Sequence, residues 1–97
     1  MSSLSDTLPW SQQVLKAVAC EMQRQIDKWG VQNHSPDRWI VILAEEFGEA
    51  AKALQENQGF EYVIELIQTA AVALSAAECF IRQSTLPIPI PIPEEVP

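Results

Sequence analysis

The sequence predicts an all-α fold with about three main helices per chain, and three observations support this. Apolar side chains recur at helical spacing in three separate segments. Each segment is bounded by residues that typically start or stop helices, such as a serine–proline pair or a glycine. Hydrophobic residues make up 47% of the 97-residue chain, which is typical of a globular domain and too many for a disordered one.

The first helix is expected over residues 11–29. Its apolar positions follow one helical face, with polar side chains on the other: Leu15, Val18, Met22, Ile26 and Trp29. Gly30 is a reasonable stop signal, because glycine tolerates the backbone conformation that follows many helices. Residues 30–37 then form a polar loop.

The second helix is expected over residues 37–57, with Ser35 and Pro36 as its start signal. One face carries six apolar side chains: Trp39, Ile40, Leu43, Phe47, Ala50 and Leu54. Of these, Trp39 is expected in the core. The Gln58–Gly59 pair is expected to break the helix.

The third helix, residues 60–83, is apolar nearly all the way round. Such a helix is normally surrounded by other helices, and three helices in one short chain cannot surround one of their own. The sequence therefore predicts a bundle completed by a homodimer or a larger oligomer. A membrane span is disfavoured, because Glu65, Gln68 and Glu78 lie inside the apolar stretch.

The domain is expected to cover residues 1–85, followed by a proline- and isoleucine-rich tail at 86–97. Proline at every second position prevents helix formation and favours an extended polyproline conformation. Two interpretations of the tail remain open. It is either a simple extended tail or a strap whose isoleucines lie on a neighbouring subunit.

Composition excludes one class of partner and suggests a compartment. The chain has 13 acidic and 6 basic residues, a net charge of −7, which argues against a nucleic-acid partner. Cys20 and Cys79 do not form a disulfide framework. With no basic and apolar leader after Met1, the expected location is the cytoplasm.

The most informative feature is the placement of the acids. At about 100° per residue, Glu46 projects into the apolar arc of the second helix, and Glu49 lies at the edge of that arc. Glu65 projects among apolar side chains of the third helix, with Gln68 beside it. A buried carboxylate is costly unless it is neutralised, paired or bound to a metal.

These acids are expected to converge if the second and third helices pack antiparallel. Residues three apart share one side of a helix, so the Glu46/Glu49 pair would face the Glu65/Gln68 pair. A cluster of hard oxygen ligands suits Mg²⁺, with Mn²⁺ possible. The alternative is an ordinary solvated acidic stripe.

Residues 45–49 (EEFGE), followed by residues 65–71 (ELIQTAA), resemble the EExxE…ExxD signature of the all-α nucleoside triphosphate pyrophosphohydrolases, a superfamily that includes the MazG-like proteins. Residues 24–34 (RQIDKWGVQNH) are similar to the helix end and loop of small MazG-like members. The resemblance covers roughly residues 21–77.

The resemblance implies a helical bundle that forms dimers or dimer-of-dimers tetramers. The implied reaction cleaves a nucleoside triphosphate between its α and β phosphates, in house-cleaning of the nucleotide pool. Glu46, Glu49 and Glu65 would hold Mg²⁺, with Gln68 at the fourth motif position. Glu45 would be a further ligand or the base that orients the attacking water, so Glu45 and Glu46 are the expected catalytic residues.

One departure from the signature is Gln68, which stands where the family has an aspartate. An amide oxygen can coordinate a hard cation but brings no charge. We expect either Glu45 or Glu61 to compensate. Two alternatives to the enzyme follow: a catalytically weak nucleotide- or metal-binding protein, and a purely structural oligomerisation module.

Substrate contacts are expected from the loop region. Lys28 and Arg38 are candidates for the triphosphate, whereas the base or sugar candidates are Trp29, Gln32, Asn33 and His34. Trp29 is also in line with the apolar face of its helix, so core packing is an equal alternative. The alternative for His34 is that it simply belongs to the loop and does not contact a substrate.

Overall fold

The structure, a computed structural model, describes residues 9–90. Within that range the chain forms three helices and no strand: α1 (Trp10–Trp29), α2 (Pro36–Gln55) and α3 (Gly59–Gln83). The predicted all-α class with three main helices is confirmed. The ends of the predicted domain and tail, residues 1–8 and 91–97, lie outside the described residues.

The boundaries around the first loop have local causes. Gly30 ends α1 with a positive φ of 76°, and its N–H donates to the Ile26 carbonyl at 2.7 Å. Ser35 caps α2, because its Oγ accepts the Arg38 N–H at 3.2 Å, and Pro36 occupies the first helical position.

Helix α2 ends at Gln55, two residues before its expected end, and Asn57 explains why. Asn57 adopts the left-handed conformation, with φ 57°. Its N–H donates to the Leu54 carbonyl at 3.2 Å, and the Gln58 N–H donates to the Ala53 carbonyl at 2.9 Å. This pair of bonds is a Schellman motif. The turn is therefore made by Asn57 rather than by the expected Gln58–Gly59 break.

Helix α3 is the element on which the other two helices pack, more extensively on the α2 side. The start of α2 lies beside the end of α3, and the end of α2 lies beside the start of α3. These two helices are therefore antiparallel. Residues 17–24 of α1 face residues 64–68, and residues 22–26 face residues 75–82, so α1 runs parallel to α3.

The core is small. Trp39, Val72 and Cys79 form its centre, with Ile42, Leu43 and Ala76 packed around them. The other buried apolar residues are Val18, Ala50, Ala53 and Ala71. The expected burial of Trp39 is confirmed.

Much of the expected core face is exposed in the single chain. Phe47 is 63% exposed, Leu54 58% and Ile40 63% on α2, while Leu15 is 65% exposed on α1. The physical reason is that α1 and α2 each contact α3 along one narrow stripe. The rest of the apolar face of each helix is not covered by any other described part of the chain.

The end of α3 holds the loop between α1 and α2. Arg82 Nη2 donates to Asn33 Oδ1 at 2.7 Å and to the Gln32 carbonyl at 3.4 Å. The buried Cys79 Sγ lies 3.6 Å from the His34 carbonyl. The Trp39 indole N–H makes no hydrogen bond of ordinary geometry, but its position beside Cys79 is the largest cause of the lowered pKa of that thiol. The backbone of His34 and the charge of Arg82 also lower this pKa, whereas burial opposes the shift.

Helix α3 is long and apolar enough to cross a membrane by length and composition alone. Core helices of soluble proteins have the same properties, so this observation is weak. Little of the apolar stretch is buried within the single chain, and the half-buried Glu65 and Gln68 lie along the same helix.

Replacing the α2 cap should destabilise the chain. We expect Ser35→Ala to lower the free energy of unfolding by about 1 kcal/mol, because the Arg38 N–H loses its acceptor. Urea unfolding followed by far-UV circular dichroism measures this. Ser11→Ala, at an exposed serine of α1, is the matched control, and equal stability of the two variants would contradict the capping role.

Candidate functional site

Carboxylates from facing stretches of α2 and α3 gather at the middle of the bundle. Glu46 and Glu65 are half-buried, whereas Glu45 and Glu49 are exposed. Glu49 and Glu65 line one open recess, with Glu61 nearby. The antiparallel packing therefore brings together three of the predicted metal-binding residues, although none of them is fully buried.

The pKa values of two of these acids are raised. Burial is the largest cause for Glu46, followed by repulsion from Glu65, Glu49, Glu21 and Glu45. For Glu65 burial again comes first, followed by repulsion from Glu49 and Glu61. Burial and the charges of neighbouring acids therefore both disfavour the ionised forms of Glu46 and Glu65.

Basic side chains do not neutralise this cluster. Among residues 9–90 the ion pair within 4.0 Å is Arg24–Glu21 on α1, at 2.7 Å. Lys52 lines the same recess as Glu49 and Glu65 but forms no ion pair with them. Within residues 9–90 the carboxylates of the cluster therefore form no ion pair, although Lys52 lies in the same recess.

These side chains offer the donor type of a hard divalent cation but not the grouping of a metal site. Unpaired carboxylate oxygens are the ligands that Mg²⁺ and Mn²⁺ prefer, and a cation would relieve the repulsion that raises the pKa values of Glu46 and Glu65. The side chains do not form a finished coordination sphere. In the described part of the chain, no three His, Cys, Asp or Glu side chains are grouped closely enough to hold a metal.

Gln68 lies on a different side of α3 from the recess of Glu49 and Glu65. It is half-buried and lines an open recess between α1 and α3 together with Glu21 and Arg24. Sequence reasoning missed Glu21, which is near enough to raise the pKa of Glu46. The only local signal was the Glu21–Arg24 spacing of three residues, which is common on solvated helices.

The predicted phosphate-binding cations lie towards the loop end of the bundle. Lys28 is in the last turn of α1, with its Nζ 4.8 Å from the centre of the Trp29 ring. Trp29 is 61% exposed, so it does not belong to the core of the single chain. The side chain of Arg38 projects from the first turn of α2 and is exposed.

The loop residues have structural partners. The Gln32 carbonyl and the Asn33 side chain both accept hydrogen bonds from Arg82. These contacts fix the loop on α3, a role that sequence reasoning did not assign to Arg82 or to Cys79. No periodic pattern could have found it, because the partners are 49 and 50 residues apart in the chain.

His34 lines a cavity near the loop. Its ring meets Trp39 edge-on, with 4.8 Å between the ring centroids. The cavity has a volume of about 360 Å³ and is mostly apolar, with His34, Pro36, Trp39, Ile40, Ala76, Ala77, Phe80, Gln83 and Ser84 as its lining. Of the six residues predicted to contact substrate, His34 is the one that lines it.

The cavity and the carboxylates lie along the same pair of helices. Ile40 lines the cavity, and Glu46 follows it by six residues, which corresponds to about 9 Å along the axis of α2. At about 100° per residue, Glu46 also lies about a third of a turn round α2 from Ile40, so the cavity and the carboxylates are separate places on these two helices.

The chain matches no known family model, and no curated protein or solved structure shows significant similarity to it. The MazG-like resemblance therefore has no support from these comparisons, and functional inference depends on the residues and the geometry.

The charge cluster should make the metal-free chain more stable at mildly acidic pH. Folding raises the pKa of Glu46 and Glu65 above 4.5, so the folded state binds more protons than the unfolded state between 4.5 and the raised values. Ionisation of these groups therefore destabilises the fold, fully so above the raised pKa values and not at all well below 4.5.

We expect Glu46→Gln to increase the thermal midpoint by a few degrees at pH 7 in chelator. As the pH is lowered to 5, the thermal midpoint of this variant should rise less than that of wild type. Thermal unfolding followed by circular dichroism from pH 5 to 8 measures both effects. Glu78→Gln, an exposed change on α3, is the control. A pH dependence identical in the two variants would show that the cluster does not strain the fold.

Proposed function

We propose that the chain is a Mg²⁺-dependent nucleoside triphosphate pyrophosphohydrolase of the MazG-like kind, which releases a nucleoside monophosphate and pyrophosphate. The observation that carries the proposal is the unneutralised carboxylate cluster of Glu46, Glu49 and Glu65 on antiparallel helices. The charges of Glu49 and Glu65 contribute to the raised pKa of Glu46, and this proximity of acids from the two helices supports the proposal.

The proposed roles follow from position. Glu46, Glu49 and Glu65 would hold the cation, with Mn²⁺ as a possible substitute. When bound, the cation supplies charge neutralisation of the phosphates and a more acidic water. The exposed Glu45 carboxylate would accept a proton from the attacking water, and its helix keeps it beside Glu46.

The proposed base site is the cavity lined by His34, Trp39 and Phe80. Its volume lies in the range of small-molecule sites, and its aromatic edges suit a flat heterocycle. Lys28 and Arg38, which lie towards the same end of the bundle, are proposed to contact the phosphates. Trp29 and Gln32 are exposed enough to reach a substrate shared between subunits.

Pyrophosphate release tests the function directly. We expect release from one or more ribo- or deoxyribonucleoside triphosphates with Mg²⁺ or Mn²⁺ and none with chelator. Glu46→Gln should lower the rate roughly 100-fold or more, since even outer-shell partners of a metal contribute about 10- to 100-fold. Glu78→Gln should retain the activity. Release that survives chelator and Glu46→Gln would refute the proposed site.

Gln68 favours one second candidate, a nucleotide- or metal-binding protein with little turnover. Its amide leaves the motif one charge short, which weakens affinity for a second or third cation. Such a protein would gain thermal stability from nucleotide with Mg²⁺ while releasing no pyrophosphate. A structural oligomerisation module would gain no stability from either ligand.

We also propose that the active form is a homodimer or a dimer of dimers. An apolar groove of about 530 Å³ runs between α2 and α3, lined by Ile40, Leu43, Ala44, Phe47, Leu66, Thr69, Ala70 and Ala73. Ile40, Phe47 and Leu66 are exposed there, and neighbouring exposed apolar side chains of this kind are typical of an interface. The groove is next to Glu46, so a second copy there would border the site.

A charge placed in this groove should dissociate the oligomer. We expect Phe47→Glu to reduce the molar mass measured by light scattering to that of a single chain, because an unpaired carboxylate would be buried at the interface. Val31→Glu, at an exposed apolar loop residue outside the groove, should keep the wild-type mass. An oligomer unchanged by Phe47→Glu would exclude this groove as the interface.

A further inference from the structure

The proline–isoleucine tract that follows α3 has no role in the proposed reaction. Residues 86–90 (LPIPI) alternate an aliphatic residue with proline, and the sequence continues this alternation to residue 93. In the single chain Leu86 is 75% exposed and Ile90 is 64% exposed, whereas Ile88 is half-buried. The described part of the chain therefore leaves most of an apolar segment uncovered.

The backbone of this tract suits burial in apolar surroundings. Proline has no backbone N–H, so Pro87 and Pro89 remove two donors that would need acceptors once buried. A residue that precedes proline is restricted to extended conformations, so Leu86 and Ile88 have little backbone freedom to lose on binding. The tract cannot extend a helix, and its natural binding place is a groove that accepts an extended chain.

The groove between α2 and α3 has the matching chemistry. Thr69 is the polar residue of its lining, and the other lining residues are apolar. The Thr69 hydroxyl already donates to the Glu65 carbonyl at 2.7 Å. The groove therefore offers neither a charged group nor a free hydroxyl proton, and it favours a segment with few polar groups of its own.

The dimensions of the groove and the tract also agree. The groove extends from Ile40 to Phe47 along α2 and from Leu66 to Ala73 along α3, about 10 Å in each case. An extended chain advances about 3.1 to 3.4 Å per residue. The four steps from residue 86 to residue 90 therefore cover about 12 to 14 Å, enough to span the groove.

The chain's own tract does not fill this groove. Ser84 Oγ accepts the Leu86 N–H at 3.3 Å and donates to the Leu86 carbonyl at 2.7 Å, so the chain turns directly after α3. Ala73, the groove residue nearest to this turn along α3, is eleven residues earlier, about 16 Å away. Residues 85–90 are not part of the groove lining, so the groove remains open to another chain.

We propose that the tract of one copy lies in the α2–α3 groove of a second copy, with Ile90 as its principal anchor. Ile90 is exposed in the single chain and is the described aliphatic residue furthest from the Ser84 turn. The inference rests on the homo-oligomer of the proposed function and specifies which segment of the second copy fills the groove. Both copies carry the same tract and the same groove, so the exchange is reciprocal and closes as a two-fold dimer.

The strength of association tests the role of the tract. Sedimentation equilibrium of the full chain over a dilution series compares wild type with Leu86→Ser/Ile90→Ser. Both side chains are exposed, so their loss leaves the core of the single chain intact, and circular dichroism checks this. We expect the dissociation constant of the dimer to rise about 100-fold or more, because burial of each aliphatic side chain contributes about 10-fold or more.

Two control variants separate the tract from general apolar surface. Leu86→Ile/Ile90→Val keeps aliphatic side chains of similar size, and its dissociation constant should stay within about tenfold of wild type. Val31→Ser removes an exposed aliphatic side chain from the loop, outside both the tract and the groove, and should associate as wild type does.

Disulfide cross-linking tests the location. In a Cys20→Ser background, one copy carries Ile90→Cys and the other carries Ala44→Cys in the groove. Mild oxidation of the mixture should give a covalent dimer on a non-reducing gel, because disulfides form only between Cα atoms about 4 to 7 Å apart. Ala70→Cys, also in the groove, is tested in parallel so that the result does not depend on one register, and Val31→Cys should not cross-link.

The possible results have different consequences. Unchanged association of Leu86→Ser/Ile90→Ser would overturn the role of the tract, and Phe47→Glu would still test the groove as an interface. Weakened association without a cross-link to either groove position would overturn the docking site. With both cysteines in one chain, a disulfide within that chain would overturn the exchange between copies. A wild-type chain that is a monomer at every concentration would refute the proposed oligomer, and this inference with it.

Discussion

The packing of two helices on α3 determines where every other feature lies. Because α2 runs antiparallel to α3, the middle of α2 meets the first half of α3, and Glu46 and Glu49 meet Glu65. Because α1 runs parallel to α3, Glu21 reaches the same level of the bundle. The loop of residues 30–35 then lies at the end of α3, where Arg82 and Cys79 hold it.

The sequence predicted those parts of the fold that depend on local chemistry. Gly30 and the Ser35–Pro36 pair act within one turn of their helices, and both were recognised. The end of α2 was predicted two residues too late, because Asn57 adopts a positive φ. This conformation depends on the whole turn and not on the residue type alone. Burial was predicted less well, since helical periodicity shows which side chains share a face but not how much of that face a neighbour covers.

The candidate site also has a part that the sequence predicted and a part that it did not. The gathering of Glu46, Glu49 and Glu65 follows from spacing within two helices and a short connection, both readable from sequence. The place of Gln68 does not follow from spacing, since it depends on the rotation of α3 between α1 and α2. Glu21 was missed for the same reason, because on α1 alone it looks like half of a surface ion pair.

The charge distribution links stability to ligand binding. The chain carries a net charge of −7, and burial and repulsion raise the pKa values of Glu46 and Glu65 without a basic partner. A ligand that brings positive charge to this cluster removes a destabilising interaction that the unfolded chain does not have, so part of its binding free energy is relief of that repulsion. An anionic substrate alone would increase the repulsion. A cation held by Glu46, Glu49 and Glu65 would therefore favour the binding of an anionic substrate, because it would offset the negative charge of the carboxylates on α2 and α3.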